Sequence, residues 1–367
     1  MDGWDILLVV ARVVLVFVLL MVVTILLVWF ERKIVADMQN RVGPDRAGPW
    51  GILQTLADGM KLFFKEQITP RKVELGLYLM APALAAIPAF LMFMVVPFGR
   101  PFTITLGGVE RAFPLQGTDL NVGILYVLAM SSIAVYAVVL AGWSSGSKYP
   151  LLGGVRATAQ AISYEAAMGL ALVPVVFYSG SARLSEIVAA QSGNWILQLG
   201  DTTIFAFPRW NAVAILPSFV LFFIAAVAET NRAPFDLVEA EQEIVGGFHT
   251  EYSGLRFALF FLAEYINMFT MSALAVTLFL GGWNGPTWDG ELPAVISGLL
   301  PTVWFLTKVI ALLFIYVWLR ATLPRMRYDQ LMTLGWKRMI PAALAWLVLS
   351  GLVVAIRQFG LPWEGGA

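Results

Sequence analysis

Eight stretches of this chain are apolar over lengths that only a lipid environment accommodates: 6–30, 75–96, 121–141, 157–178, 212–228, 254–279, 301–319 and 339–356. Crossing roughly 30 Å of hydrocarbon takes about 20 helical residues, at a rise of about 1.5 Å each. The fifth stretch is the shortest. Hydrophobic residues make up 59% of the chain and charged residues 13%, with a mean hydropathy of +0.78; a soluble domain carries about 25% charged residues. No water reaches the bilayer core, so every backbone N–H and C=O there must be satisfied within the fold. Runs of this length do so as helices. The expected fold is all-α, a single polytopic membrane domain over residues 1–367 with eight spans.

The first run follows Asp2 and Asp5 rather than a basic segment and exceeds a signal-peptide core in length, so it reads as an anchor. Most of the 24 Lys and Arg residues fall in the segments after spans one, three, five and seven, among them Arg32, Lys33, Arg41, Arg46, Lys61, Lys65, Arg325, Arg327, Lys337 and Arg338. The positive-inside rule then places these odd loops in the cytoplasm and both termini outside.

What the chain lacks narrows its chemistry. With no cysteine it cannot hold a thiolate-ligated iron–sulfur cluster, a covalently attached haem or a disulfide. His249 is the only histidine, so bis-histidine haem ligation is excluded as well. The paired glycines lack the partners of a phosphate-binding loop. No metal site is expected, and no electron carrier or nucleotide is expected on this chain itself.

Between the first two spans, residues 51–66 read GILQTLADGMKLFFKE. Ile52, Leu56, Met60 and Phe63 recur at helical spacing, while Gln54, Asp58, Lys61 and Lys65 fall largely elsewhere on the wheel. The pattern predicts an amphipathic helix lying in the membrane interface; a helix packed on the protein would share the same periodicity.

Carboxylates are the least expected groups in such a chain. Residues 228–252 carry Glu229, Asp236, Glu239, Glu241, Glu243 and Glu251 against a single Arg232, directly between two spans. Two more acids lie inside predicted spans, Glu165 about 12 Å into the fourth and Glu264 about 15 Å into the sixth, counting about 1.5 Å per residue. An acid at a helix centre costs roughly 2.5 to 3.5 kcal/mol on insertion scales. These groups must therefore be protonated or paired, and they face the protein interior. Clustered carboxylates titrate as a unit, because each charge raises the proton affinity of its neighbours. A proton route follows from that. The alternatives are static pairing of Glu165 or Glu264 with Arg12 or Lys308, and a solvated acidic face at Glu239, Glu241 and Glu243 that docks a basic partner.

The segments FERKIVADMQNRVGPDRAGPWGILQTLADGMKLFFKE (30–66), SKYPLLGGVRATAQAISYE (147–165), AETNRAPFDLVEAEQEIVGGFHTEYSG (228–254), AEYINM (263–268) and PRMRYDQLMTLGWK (324–337) closely resemble the H-type membrane-subunit family of proton-pumping NADH:quinone oxidoreductase, respiratory complex I. The likeness runs in order through nearly the whole chain. It does not extend to residues 98–121 and 179–211 or to the tail after Arg357.

The resemblance implies a membrane subunit at the joint with the soluble arm, forming part of a quinone tunnel. Matched by motif, Glu31, Arg32, Gln39, Arg41, Asp58, Lys61, Arg232 and Phe235 would border the quinone. Glu165, Glu229, Asp236, Glu239, Glu241, Glu243 and Glu264 would form the acidic path for protons. Quinone would be the substrate, while NADH, FMN and iron–sulfur clusters would reside on partner subunits, and a bacterial plasma membrane would be the location. Related subunits of membrane-bound hydrogenases and F420-type dehydrogenases offer a second reading. An independent proton-coupled transporter using Glu165 and Glu264 is a third.

Overall fold

The computed structural model describes residues 3–106, 108–199, 202–236, 245–285 and 294–359. Helices dominate it: α1 (Gly3–Met38), α2 (Gln54–Phe64), α3 (Leu75–Phe93), α4 (Gly123–Ser144), α5 (Lys148–Ser179), α6 (Leu184–Ala190), α7 (Asn211–Ala214), α8 (Leu216–Glu229), α9 (Gly254–Phe279), α10 (Ala294–Thr322), α11 (Tyr328–Met332) and α12 (Ile340–Phe359). A π-helical stretch, Thr333–Met339, joins α11 to α12 without a break. The expectation of an all-α polytopic membrane fold holds. Among the described residues, strand occurs only as two antiparallel hairpins in the connections, β1 (Phe102–Leu106) with β2 (Val109–Phe113) and β3 (Asn194–Leu199) with β4 (Thr202–Pro208).

Among the described residues, seven helical segments are long and apolar enough to span a bilayer, one fewer than the runs in the sequence. The exception is the fifth. Its 212–228 run is broken at Ile215, whose φ of −126° and ψ of 49° leave the helical region. Pro217 lacks the N–H that would continue the ladder from α7. What remains, α8, has 14 residues, or about 21 Å. A second difference concerns α5, which begins at Lys148 rather than near 157. Glu165 therefore lies near the middle of a 32-residue helix rather than in its first turns.

α9 is the centre of the molecule. From Met268 to Phe279 every residue is buried, and the helix packs against α1, α2, α3, α6, α7, α8 and α10. Lipid supplies no hydrophobic drive for helices to associate, so close approach depends on small side chains. α3 presents buried Ala81, Ala85 and Ala89 at intervals of four, and α4, which packs on it, answers with buried Ala137 and Ala141. α1 instead exposes Val10, Val14, Phe17 and Val18, a surface suited to lipid or to another apolar helix.

The predicted amphipathic helix, α2, is shorter than 51–66, and a 3₁₀ turn at Pro49–Gly51 precedes it. Leu53, Leu56, Met60, Phe63 and Phe64 are all exposed on it. Charged Asp58 is held on the opposite side by Arg32 at 2.6 Å.

The connections at one end of the bundle are bonded to one another. Tyr78 at the start of α3 donates to the Glu251 carbonyl (2.8 Å), the Ile68 amide donates to Ser253 Oγ (2.8 Å), and the Glu74 amide donates to the Ser144 carbonyl (3.1 Å). Glu251 and Ser253, at the far end of the acidic segment after α8, belong to this end.

Candidate functional site

α8 delivers its last residues to the site through a chain reversal written in its sequence. Thr230 caps the helix, and Asn231 follows at a φ of 51°, a left-handed conformation that asparagine tolerates better than most residues. The Asn231 amide then bonds the Ala228 carbonyl and the Arg232 amide bonds the Val227 carbonyl, each at 3.3 Å. This is the Schellman arrangement, which satisfies carbonyls a helix end otherwise leaves open. Glu229 is thereby fixed in the last helical turn, and Arg232 is turned back beneath it.

Arg232 is the hub of the buried charges. Its Nη1 lies 3.5 Å from Glu31 of α1, its Nε lies 3.2 Å from Glu264 of α9, and its guanidinium carbon stands 4.5 Å from the centroid of the Tyr265 ring. Its side chain is 7% exposed and that of Glu31 5%, so these charges lie outside bulk solvent. Arg320 of α10 also pairs with Glu31. Burial alone would ease the proton off Arg232, but Glu264 and Glu31 outweigh it and hold the guanidinium well above its ordinary range. The Nε contact to Glu264 is close enough for ion pairing yet off-line for a hydrogen bond. The pair is therefore held by charge more than by directed bonding.

A cavity of about 100 Å³ opens beside this hub, with Glu229, Glu264, His249, Asn231, Asn267 and Ser131 in its wall. Liquid water takes about 30 Å³ per molecule, so the space suits a few waters. Glu229 is bonded by the Ser131 hydroxyl through one oxygen, and its other oxygen is buried without a hydrogen-bond partner among the described residues. Asn267 Oδ1 is likewise buried and unpaired among them. Glu165 accepts the Ser132 hydroxyl and lies within electrostatic reach of Glu229.

A family model described as NADH dehydrogenase matches residues 11–351. The chain belongs to that family. The match covers nearly the whole protein and supports a membrane subunit of a complex I-type oxidoreductase, with the multisubunit setting that this implies.

Within this NADH dehydrogenase family member, the described residues singled out from the sequence fall into four groups. Glu31, Arg232 and Glu264 converge directly, and Glu229 and Glu264 share the cavity. Phe235 packs its ring 5.3 Å from Tyr164, and Asp236 pairs with Arg325 at 3.0 Å. Arg32, Asp58 and Lys61 form a separate, more exposed ion cluster, in which Lys61 stands 3.7 Å from Asp58. Burial acts to raise the Asp58 carboxyl, but Arg32, Gln54 and Lys61 outweigh it and keep it below its usual range. Gln39 and Arg41 bond each other at 2.7 Å on the exposed surface. Glu239, Glu241 and Glu243 lie outside the described residues.

The static pairings that would compete with a proton route are made differently. Lys308 donates to the carbonyls of Leu280, Gly282 and Asn284 and stands 4.9 Å from the Trp210 ring. The guanidinium of Arg12 reaches back along its own helix to the Leu8 carbonyl.

Two further site residues emerge only in the fold. Gln160, 1% exposed, donates to the carbonyls of Ala228 (2.8 Å) and Phe235 (3.0 Å), and so clasps both ends of the turn that carries Arg232. Its place in a predicted span is a signal, since a buried amide in a membrane needs partners, but the larger cost of the nearby carboxylates overshadows it. In the sequence His249 stands out only as the sole histidine. In the fold it is 8% exposed, bonds the Gly246 carbonyl through Nδ1, and stacks 5.1 Å from the Phe248 ring. Burial pushes it down to about 4, so it is neutral at physiological pH.

Proposed function

We propose that this chain is the H-type membrane subunit of a proton-translocating NADH:quinone oxidoreductase, and that it couples quinone reduction to proton movement. One observation carries the reading: a single buried guanidinium, Arg232, bridges Glu31 and Glu264, and Glu264 shares the wall of a small cavity with Glu229. Buried ions are costly unless paired, and a carboxylate left half-satisfied beside a hydratable cavity is placed to exchange protons.

On this reading Arg232, Phe235, Glu31 and the Arg32–Asp58–Lys61 cluster, with Gln39 and Arg41 beyond it, border the quinone path. Glu165, Glu229, Asp236 and Glu264, together with Glu239, Glu241 and Glu243, carry the protonic response. Ligand pockets commonly enclose about 300–1,000 Å³, whereas the cavity beside Arg232 encloses about 100 Å³. The chain therefore supplies one wall of a quinone chamber that soluble partner subunits complete. Those partners would bring NADH, FMN and the iron–sulfur clusters. Negative charge developing on the quinone displaces the balance around Arg232, and the neighbouring acids answer by shifting protons toward the interior of the membrane. The positive-inside pattern supports a cytoplasmic position for this end of the bundle, and on the family resemblance the membrane is a bacterial inner one.

The test is replacement of Glu229 and, separately, Glu165 by Gln in the assembled enzyme. Both variants should assemble, reduce quinone more slowly and pump fewer protons per electron. Wild-type pumping stoichiometry in both would overturn the proton-path reading.

A further inference from the structure

Two buried oxygens of residues in the wall of the cavity that Glu229 and Glu264 share meet no hydrogen-bond donor among the described residues: Glu229 Oε2, at the end of α8, and Asn267 Oδ1, on α9. Asn267 lies three residues beyond Glu264, about 4.5 Å along the helix axis, and residues so spaced are neighbours on one helix face. A buried acceptor left without a donor costs its full desolvation penalty. The hydroxyls of this wall cannot supply one, because each is committed. Ser131 donates to the other Glu229 oxygen, Thr158 to the Gly154 carbonyl (2.7 Å), and Thr230 to the carbonyls of Ala226 (3.0 Å) and Val227 (3.1 Å). The Nδ1–H of His249 is spent on the Gly246 carbonyl. Water is the donor this site can take, since its two hydrogens serve two acceptors and the cavity has room for it.

We propose, building on the functional reading above, that Asn267 is a positioning residue: its amide holds a water against Glu229, and Glu229 exchanges its proton with the cavity through that water. The water donates one hydrogen to Asn267 Oδ1 and the other to Glu229 Oε2. To protonate Glu229 it accepts a proton on its oxygen from a neighbouring water and releases the hydrogen already bonded to Oε2, so it ends the step as water. The amide gains and loses nothing, and serves only to fix the direction of the water. Glu229 is bonded by Ser131 and Glu264 is paired with Arg232. Asn267, one turn from Glu264 on the same helix, places the link between these two acids.

The test is infrared spectroscopy of the assembled enzyme in lipid, in ordinary and in heavy-oxygen water. An O–H band that shifts on oxygen exchange reports a buried water, and one such band should move in Glu229→Gln and vanish in Asn267→Leu. Asn267→Ser keeps an oxygen and leaves room for the water, so there the band should persist. The second readout is coupled quinone reduction. Asn267→Leu should slow it by about fivefold or more, the equivalent of one hydrogen bond lost, and Asn267→Ser should keep most of the rate. Packing alone predicts the reverse order, since leucine fills the volume of the amide and serine leaves a gap. A water band untouched by Asn267→Leu, or a serine variant slower than the leucine variant, overturns the proposal. Should the leucine variant fail to assemble, the serine variant decides, and loss of its water band refutes the assignment. Normal pumping by Glu229→Gln would sink the functional reading and leave the water band standing, so the two failures are distinguishable.

Discussion

Arg232 reaches Glu264 at 3.2 Å across the gap between the turn after α8 and the middle of α9, so a loop cation neutralises an acid the membrane would otherwise exclude. Glu31 retains Arg320 if Arg232 is lost.

Arg232→Ala should destabilise the chain by about 3 kcal/mol or more, the range for breaking a buried ion pair and leaving one charge behind. Adding Glu31→Gln to it should recover little, because Arg320 would then lose its carboxylate partner. Thermal unfolding of the two variants in the same lipid decides the matter. Recovery of most of the loss by Glu31→Gln would contradict the assigned geometry.

Gln160→Leu tests the clasp on the Arg232 turn. The substitution conserves rough size and suits an apolar helix, so hydrophobicity alone predicts no loss. The structure predicts otherwise, since the carbonyls of Ala228 and Phe235 would both lose a donor. The Ala228 carbonyl keeps the Asn231 amide, whereas the Phe235 carbonyl is left open, at a cost of about 1–3 kcal/mol. Hydrogen exchange at the amides of residues 229–236 should accelerate by tenfold or more, while exchange in α3 stays unchanged.

Gln160 also shows where legibility in the sequence ends. The spans are readable because lipid leaves so few ways to satisfy a backbone, and the acids are readable because their cost in lipid is large. Arg232 can be suspected as their partner, but choosing Glu31 and Glu264 from the available carboxylates requires the Asn231 turn, a tertiary consequence of two weak local preferences. The broken fifth span is marked by Pro217, which the continuous apolar run on either side of it conceals. The hairpins at 102–113 and 194–208 lie in connections between spans, where alternation is short and weak.

Asp58→Asn should matter much less than Arg232→Ala. Its partners Arg32 and Lys61 are about half exposed and two-thirds exposed, with Asp58 itself at 27%, and such pairs contribute about 0–1 kcal/mol. The depressed carboxyl means that its contribution is present above the ordinary value of 3.8 and fades as the pH falls through the lower folded value. The expected outcome is faster proteolysis around α2 in the variant at low salt and near-equality with the wild type at high salt, where screening has already weakened the pair. A difference that persists at high salt would mean that Asp58 holds α2 by something other than this charge cluster.

His249 predicts an acid limit for the fold. Its ordinary value is 6.5 and burial lowers it to about 4, so the unfolded chain binds the proton more tightly. The sign follows: the neutral buried ring is fully compatible with the native state above pH 6.5, and stability drains away as the pH falls from there toward 4. Two and a half units at 1.36 kcal/mol each bound the loss at about 3 kcal/mol. Glu229 and Glu264 line the same cavity, so the wild-type curve alone is not diagnostic. The difference between the wild type and His249→Gln isolates this group. Glutamine can still donate toward the Gly246 carbonyl but gains no charge, so the variant should lose less stability than the wild type between pH 6.5 and 4 and match its slope above 7. Parallel curves across the acidic range would show that the imidazole is solvated in the folded chain, contrary to its packing against Phe248, Phe257 and Phe261.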